Sequence, residues 1–294
     1  MEKHYDIIIL GAGNIAQALL ELCQNYNVLV LSRNAEQLDV PLNVSKRNWT
    51  IGESLPPKVS ANTVINCVMP ADKTIAKEAV DFAKAALSEK GLYLHLSTIA
   101  LFTRPDSFPS ILKFCGDAYI RTKSFELKYV EHHIPSAKII FPGIVLGETT
   151  TWGKFVSDVK SKSSLVVGGS LKQNAPIIQI EHLASEIINL IDNKDQKDLI
   201  FLPHPEDKAN PSWEIVLDTK SKIIIKKEYL FFHSKFKELI TVLLTSSLFP
   251  YRLVKILQSR GKIKTSNQTK ILNDNGVLSV TGMTHYYMVC KYVL

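Results

Sequence analysis

Residues 5–16 read Tyr-Asp-Ile-Ile-Ile-Leu-Gly-Ala-Gly-Asn-Ile-Ala, and few folds accept that order. The run 5–10 is a compact apolar strand. Ile15, Leu19, Leu22 and Cys23 then recur at helical spacing. A strand that turns into a helix within three residues needs the conformational freedom of glycine at Gly11. Gly13 lets the backbone approach a ligand, and a small residue at Ala16 lets the helix pack tightly on the strand. The first turn of the helix then presents unpaired N–H groups and the positive end of its dipole. That is a seat for an anion such as a pyrophosphate.

Strand-like and helix-like segments keep alternating through residue 191. Strands are expected at 28–31, 64–68, 92–96 and 138–141. Ala76, Val80, Ala83 and Leu87 mark one helix between them, and Ile120, Leu127 and Val130 another. A strand at 177–180 and a helix at 183–191 look like a return to the same sheet. This alternation makes an α/β fold, a doubly wound parallel sheet of the Rossmann type. Its ligand cleft lies at the carboxyl ends of the strands. The expected dinucleotide-binding domain spans 1–192, with an insertion around 143–175. Beyond it Pro203, Pro205 and Pro211 break the pattern, so 193–294 is read as a smaller C-terminal lobe that binds substrate.

Composition removes several other classes. Of 294 residues, 46% are hydrophobic and 21% charged, enough apolar material for a core without covalent staples. Cys23, Cys67, Cys115 and Cys290 form no CxxC pair, which supports neither a disulfide framework nor a zinc site. Their scatter fits a reducing compartment, and a cytoplasmic location is expected. The polar start does not read as a signal peptide. The stretch 239–257 is interrupted by Thr245, Ser246, Ser247, Pro250, Arg252 and Lys255, a poor membrane span. Part of the net charge of +7 is local, since 252–270 holds six basic residues and no acidic one. It reads as a solvated basic face, with a nucleotide diphosphate or peripheral contact with an anionic membrane as open alternatives. No nucleic-acid partner is expected, and a homodimer stays open. Neither HExxH nor GxxxxGK[ST] occurs, and no metal site is expected. His132 and His133 point in different directions on a helix and read as C-terminal residues favoured by its dipole.

The end of the second strand chooses between dinucleotides. A carboxylate there hydrogen-bonds the ribose hydroxyls of NAD. Here the residues are Leu31-Ser32-Arg33-Asn34, without an acid. Arg33 can make charge-assisted bonds to a 2′-phosphate, helped by the Ser32 hydroxyl. NADP is therefore expected, with NAD the alternative. The expected cofactor-binding residues are Gly11, Gly13, Asn14, Ile15, Ser32, Arg33 and Lys123.

Lys123 enters through a second spacing. Tyr-x-x-x-Lys sets a phenol and an ammonium one helical turn apart. The cation favours phenolate, so the tyrosine can exchange protons nearer neutral pH. The lysine can also hydrogen-bond the nicotinamide ribose. Three pairs share this spacing: Tyr119/Lys123, Tyr251/Lys255 and Tyr287/Lys291. Of these, Tyr119 alone lies between sheet strands, after the one that ends at Ser97-Thr98 and before 138–141.

That order resembles the short-chain dehydrogenase/reductase superfamily, in its extended, epimerase/dehydratase-like branch. The resemblance covers roughly 5–191. It rests on GAGNIA at 11–16, LSTIALF at 96–102 and YIRTK at 119–123, joined by FPGIVLG at 141–147 and IEHLASEI at 180–187. It implies Tyr119 as acid/base, Lys123 as its partner, and Thr98, rather than Ser97, as the group that holds the substrate oxygen. The chain departs from the pattern at Leu10 and Ala16, which replace two glycines, and at Phe102, where a tyrosine is usual. The stretch 45–60 is also unlike the family. Dehydrating members carry an Asp-Glu pair where this chain has Ile99-Ala100, so dehydration is disfavoured. The resemblance thus implies an NAD(P)-dependent oxidoreductase or epimerase acting on a carbonyl or hydroxyl of a nucleotide sugar. An exchangeable NADPH tilts the expectation toward reduction. The alternative is a non-catalytic NADP-binding regulatory protein of the same fold. The intact Thr98, Tyr119 and Lys123 set argues against it, because a sensor needs no proton donor.

Overall fold

A computed structural model of the chain describes residues 3–53, 56–98, 118–161, 164–167, 175, 177–193, 199–202, 211–218, 220, 223–226 and 278–279. Side chains are described at these positions except 118–121, 164–167, 199–202, 223–226 and 278–279. The chain runs β1 (Lys3–Leu10), α1 (Asn14–Leu22), β2 (Val28–Ser32), β3 (Val44–Asn48), β4 (Val59–Asn66), α2 (Lys73–Ala86), β5 (Leu87–Leu96) and α3 (Ala118–His133). It continues with β6 (Lys138–Pro142), β7 (Ile144–Leu146), α4 (Thr151–Ser161), β8 (Ser164–Val167), β9 (Ile177–Gln179) and α5 (Ile180–Asp192). The last described elements are β10 (Leu199–Leu202), α6 (Trp213–Val216), β11 (Ile223–Lys226) and β12 (Leu278–Ser279).

Seven strands form one parallel sheet in the order β10-β6-β5-β4-β1-β2-β3. This is the doubly wound sheet expected. The winding reverses at β1, which pairs with β2 on one side and β4 on the other. Open α/β sheets bind ligands outside the carboxyl ends of the strands at such a reversal.

Side chains alternate across the sheet. Ile7, Ile9, Val28, Val30, Ile65, Leu94, Leu96 and Ile140 join one apolar cluster with Ala16, Leu19 and Leu20 of α1 and Leu183, Ala184 and Ile187 of α5. The intervening Ile8, Leu10, Leu29, Leu31 and Val64 are buried as deeply and turn to the opposite face. There α2 packs on β4 and β5, and the Trp49 ring lies tilted against Phe82 with centroids 4.7 Å apart.

Three details depart from the sequence reading. β3 is not expected from the pattern, because an edge strand of Ser45, Lys46, Arg47 and Asn48 behind one buried valine lacks apolar alternation. Leu22, which the helical spacing places on the buried face, is 45% exposed at the end of α1. The segment near 177 does not return to the main sheet. It pairs as β9 with β7, and β10 takes the edge beside β6.

The chain forms two compact units. The first comprises Met1–Thr98, Thr122–Thr150 and Ile178–Pro205 and carries the seven-stranded sheet. The second comprises Ile99–Arg121, Thr151–Ile177 and Glu206–Leu294. Its described part holds a three-stranded sheet, β11-β8-β12, and a small core of Phe155, Val156, Val159 and Trp213. The Trp152 ring lies 6.4 Å from that of Trp213, so both tryptophans pack rather than stand free.

Candidate active site

The glycine turn has the geometry its spacing demands. Gly11 has φ +92°, in the region that side chains with a Cβ avoid. A Cβ there would lie 3.2 Å from the carbonyl oxygen of Cys67, just past the end of β4. Gly13 differs. Its backbone is extended (φ −74°, ψ −179°), and a Cβ would meet nothing within 4 Å. No side chain caps α1, and its first turn contains no acid. Its leading N–H groups are thus available to an anion in front of Gly13, which is what a pyrophosphate requires.

Of the other residues assigned to the cofactor, Asn14 donates its side-chain amide to the Thr149 carbonyl at 3.3 Å. Ile15 is half-buried against the apolar cluster, leaving its backbone as the part that can meet a ligand. The Ser32 hydroxyl accepts from the Asn34 N–H at 3.3 Å, and Arg33 is exposed at the end of β2. No described acid follows directly on that strand.

Lys123 is almost fully buried, 3% exposed, on α3. Its ammonium donates to the carbonyl of Leu96 at 3.1 Å, to that of Val68 at 3.4 Å and to Oε2 of Glu126 at 2.8 Å. The Val68 amide lies against the Gly11 turn, 3.4 Å from where a Cβ would be, and donates to Oδ1 of Asn66 at 3.0 Å. The glycine turn thus packs on the segment after β4, and bonds from Lys123 tie that segment to the end of β5 two residues before Thr98.

Beneath Lys123 lies a buried polar cluster. Asn66 donates to the Tyr93 hydroxyl at 3.0 Å. His95 Nδ1 is 3.4 Å from both the Asn66 amide and the Tyr93 hydroxyl, and its Nε2 is 3.7 Å from Oε2 of Glu126. Burial pushes His95 well below the usual imidazole range, and Lys123 adds to the effect. Burial raises the Glu126 carboxyl, with Lys123 opposing. It also drives the Tyr93 phenol far up. The Cys67 thiol, though partly open to solvent, is pushed up to about 12 by its apolar surroundings, again against Lys123. Among the described residues, Oε1 of Glu126, Nε2 of His95 and the Ser97 hydroxyl are buried without a hydrogen-bond partner.

Thr98 is half-buried just past β5 and engaged in contacts of its own, and Ser97 anchors its amide on Ile140 O at 2.8 Å. Tyr119 falls in the first turn of α3, and its side chain lies outside the described residues. So do Ile99, Ala100, Phe102, both other Tyr/Lys pairs and the basic stretch 252–270. His133 stacks on Tyr129 at 3.8 Å at the end of α3. Among the described residues no group of three or more His, Cys, Asp or Glu is arranged to hold a metal ion, and no helix is long and apolar enough to cross a membrane.

Sequence reasoning missed Asn66, His95 and Glu126. The i, i+3 spacing of Lys123 and Glu126 was the one signal present, since it makes two helix residues neighbours.

No protein-family profile and no curated protein matches the sequence. Solved structures do match in fold. WbmH of Bordetella bronchiseptica, an enzyme in complex with NAD+, is 14% identical, with 76% of this chain and 86% of that one covered at TM-score 0.55. The UDP-N-acetylglucosamine 4-epimerase of Methanobrevibacter ruminantium, in complex with UDP-N-acetylmuramic acid, is 16% identical, covering 77% and 85% at TM-score 0.55. WbmG of B. bronchiseptica, in complex with NAD and UDP, is 14% identical, covering 76% and 83% at TM-score 0.54. The likeness is one of fold, and it agrees with the branch that the sequence motifs resemble.

Proposed function

We propose that this chain is a nicotinamide-dinucleotide-dependent enzyme of the extended short-chain dehydrogenase/reductase type. It interconverts a carbonyl and a hydroxyl on a sugar carried by a nucleotide, with reduction favoured over epimerisation. One observation supports this reading most: the Lys123 ammonium is bonded to the carbonyl of Val68, whose own amide packs against the Gly11 turn. Gly11, Gly13 and the first-turn amides of Asn14 and Ile15 would hold the pyrophosphate. Ser32 and Arg33 would hold the adenosine ribose, whose 2′-phosphate in NADP suits an arginine better than a carboxylate. Two of the solved structures named above carry NAD, which keeps that dinucleotide as the alternative.

When bound, the nicotinamide supplies or accepts the hydride. In the reductive direction Tyr119 donates a proton to the carbonyl oxygen, and the Thr98 hydroxyl orients that oxygen by donating a hydrogen bond to it. Lys123 holds the nicotinamide ribose. The site departs from the dehydrating members in having Ile99-Ala100, which have no proton to exchange.

The test combines binding with turnover. The purified chain is titrated with NADPH and NADH and then assayed for reduction or epimerisation with a panel of UDP- and dTDP-linked sugars. Tyr119→Phe should lower kcat by about 100-fold or more while leaving dinucleotide affinity unchanged. A non-catalytic binder of the same fold would bind dinucleotide and lose nothing in that variant. The observation that favours this second reading is the commitment of all three Lys123 donors within the protein.

A further inference from the structure

We propose that Glu126 is a positioning residue, whose carboxylate fixes the Lys123 ammonium at the carboxyl ends of β4 and β5. The proposal rests on the role given to Lys123 above. An ammonium has three N–H groups, and each has an acceptor: Leu96 O at 3.1 Å, Val68 O at 3.4 Å and Glu126 Oε2 at 2.8 Å. The two carbonyls belong to strand ends and carry no net charge. Only the carboxylate neutralises Lys123. Without that carboxylate the ammonium loses the one charged partner that fixes its direction.

Among the described residues, no other group facing the pair can take that part. From the end of β4 come Asn66, which does not titrate, and Cys67, whose thiol burial pushes up to about 12. From β5 come Tyr93, raised further, and His95, held neutral by burial. From α3 itself the charged members are Lys123 and Glu126. Val68 O makes the longest of the three contacts. It can therefore give way to a ligand hydroxyl while the charge stays compensated.

This arrangement makes stability and binding move oppositely with pH. Burial holds the Glu126 carboxyl above its ordinary range, so the folded chain binds that proton more tightly than the unfolded chain. The stability this group contributes is present at low pH and lost as pH rises through the raised value. Positioning needs the carboxylate, so dinucleotide affinity rises over the same window. A side chain that only filled space would do neither.

The full chain and Glu126→Gln are melted between about pH 4.5 and about pH 8 without dinucleotide, and titrated over the same range with NADPH and NADH. The wild-type Tm should fall relative to that of Glu126→Gln by about 3–5 °C per pH unit across the window. Wild-type affinity should weaken about tenfold on the acid side, whereas Glu126→Gln stays at the weaker level throughout. Lys123→Met gives a second reading should Glu126→Gln fail to fold. Without the cation that opposes burial, the window of falling stability should move to higher pH. Melting differences that do not vary with pH, or an unmoved window in Lys123→Met, overturn the proposal. If the melting results hold and neither dinucleotide binds the wild type, the dinucleotide reading falls and the Lys123–Glu126 coupling stands.

Discussion

Two helices that cover this sheet begin in opposite ways. α2 starts behind Asp72, whose Oδ1 accepts from the amides of Thr74 at 2.9 Å and Ile75 at 3.0 Å. α1 starts behind Gly13, with no side chain on its first amides and open space where a Cβ would be. Both helices face the same problem of unpaired N–H groups at the amino end. One solves it internally; the other leaves it open, as the proposed dinucleotide seat requires. On that reading the difference teaches that an uncapped helix start at the sheet's reversal serves binding, whereas a capped one beside it belongs to folding.

The sharpest way to break that contrast is to give α1 the cap that α2 already has. Gly13 has the extended backbone of a good N-cap residue and room for a side chain. In Gly13→Asp the new carboxylate would accept from the first-turn amides and raise stability by a few tenths of a kcal/mol, a Tm gain of about 1 °C. It would also set a negative charge where the pyrophosphate binds. Dinucleotide affinity should fall by about 100-fold or more, since two anions would compete for one set of donors. Calorimetric titration together with thermal melting reads both signs. A Gly13→Asp protein that melts higher and binds dinucleotide as well as the wild type would remove α1 from the site.

Gly11 sharpens the comparison from the side of the turn. Its φ of +92° and the 3.2 Å that would separate a methyl group from the Cys67 carbonyl oxygen are both backbone constraints, which no change of rotamer relieves. Gly11→Ala should lower stability by about 2–3 kcal/mol in urea unfolding. It should also weaken dinucleotide binding, because the Cys67–Val68 peptide it would displace directly precedes the Val68 carbonyl that accepts from Lys123. Unchanged unfolding would show that the turn relaxes freely and that Gly11 is not needed for its shape.

How much of this is legible in the sequence follows from the physics of each part. The opening strand, turn and helix are readable because an apolar run, two glycines and a helical repeat fall in order within about twenty residues. β3 is hidden, since an exposed edge strand needs no apolar alternation, and the polar run behind Val44 looks like a loop. Lys123 stands out by its spacing to Tyr119, yet the same spacing occurs three times, and order along the chain alone selects one. Its partners are not visible. Asn66, His95 and Glu126 are each 0% exposed, but a polar residue carries no mark in sequence that tells deep burial from solvent. Only when β4, β5 and α3 are brought together do they form a shell around one ammonium.

The smallest effect tests the other half of the comparison. Asp72 is exposed, and its work is confined to the two amides it accepts from. Asp72→Ala leaves both donors to water and should lower stability by about 1 kcal/mol. Asp72→Gly should lower it by only a few tenths, because glycine frees water to reach the same amides and adopts the cap conformation readily. Neither change should move dinucleotide affinity, since Asp72 is taken up with the first amides of α2 and not with the proposed pyrophosphate seat on α1. A loss of affinity in Asp72→Ala comparable to that in Gly13→Asp would mean that the two helix starts share one function, and the distinction between a folding cap and a binding cap would fail.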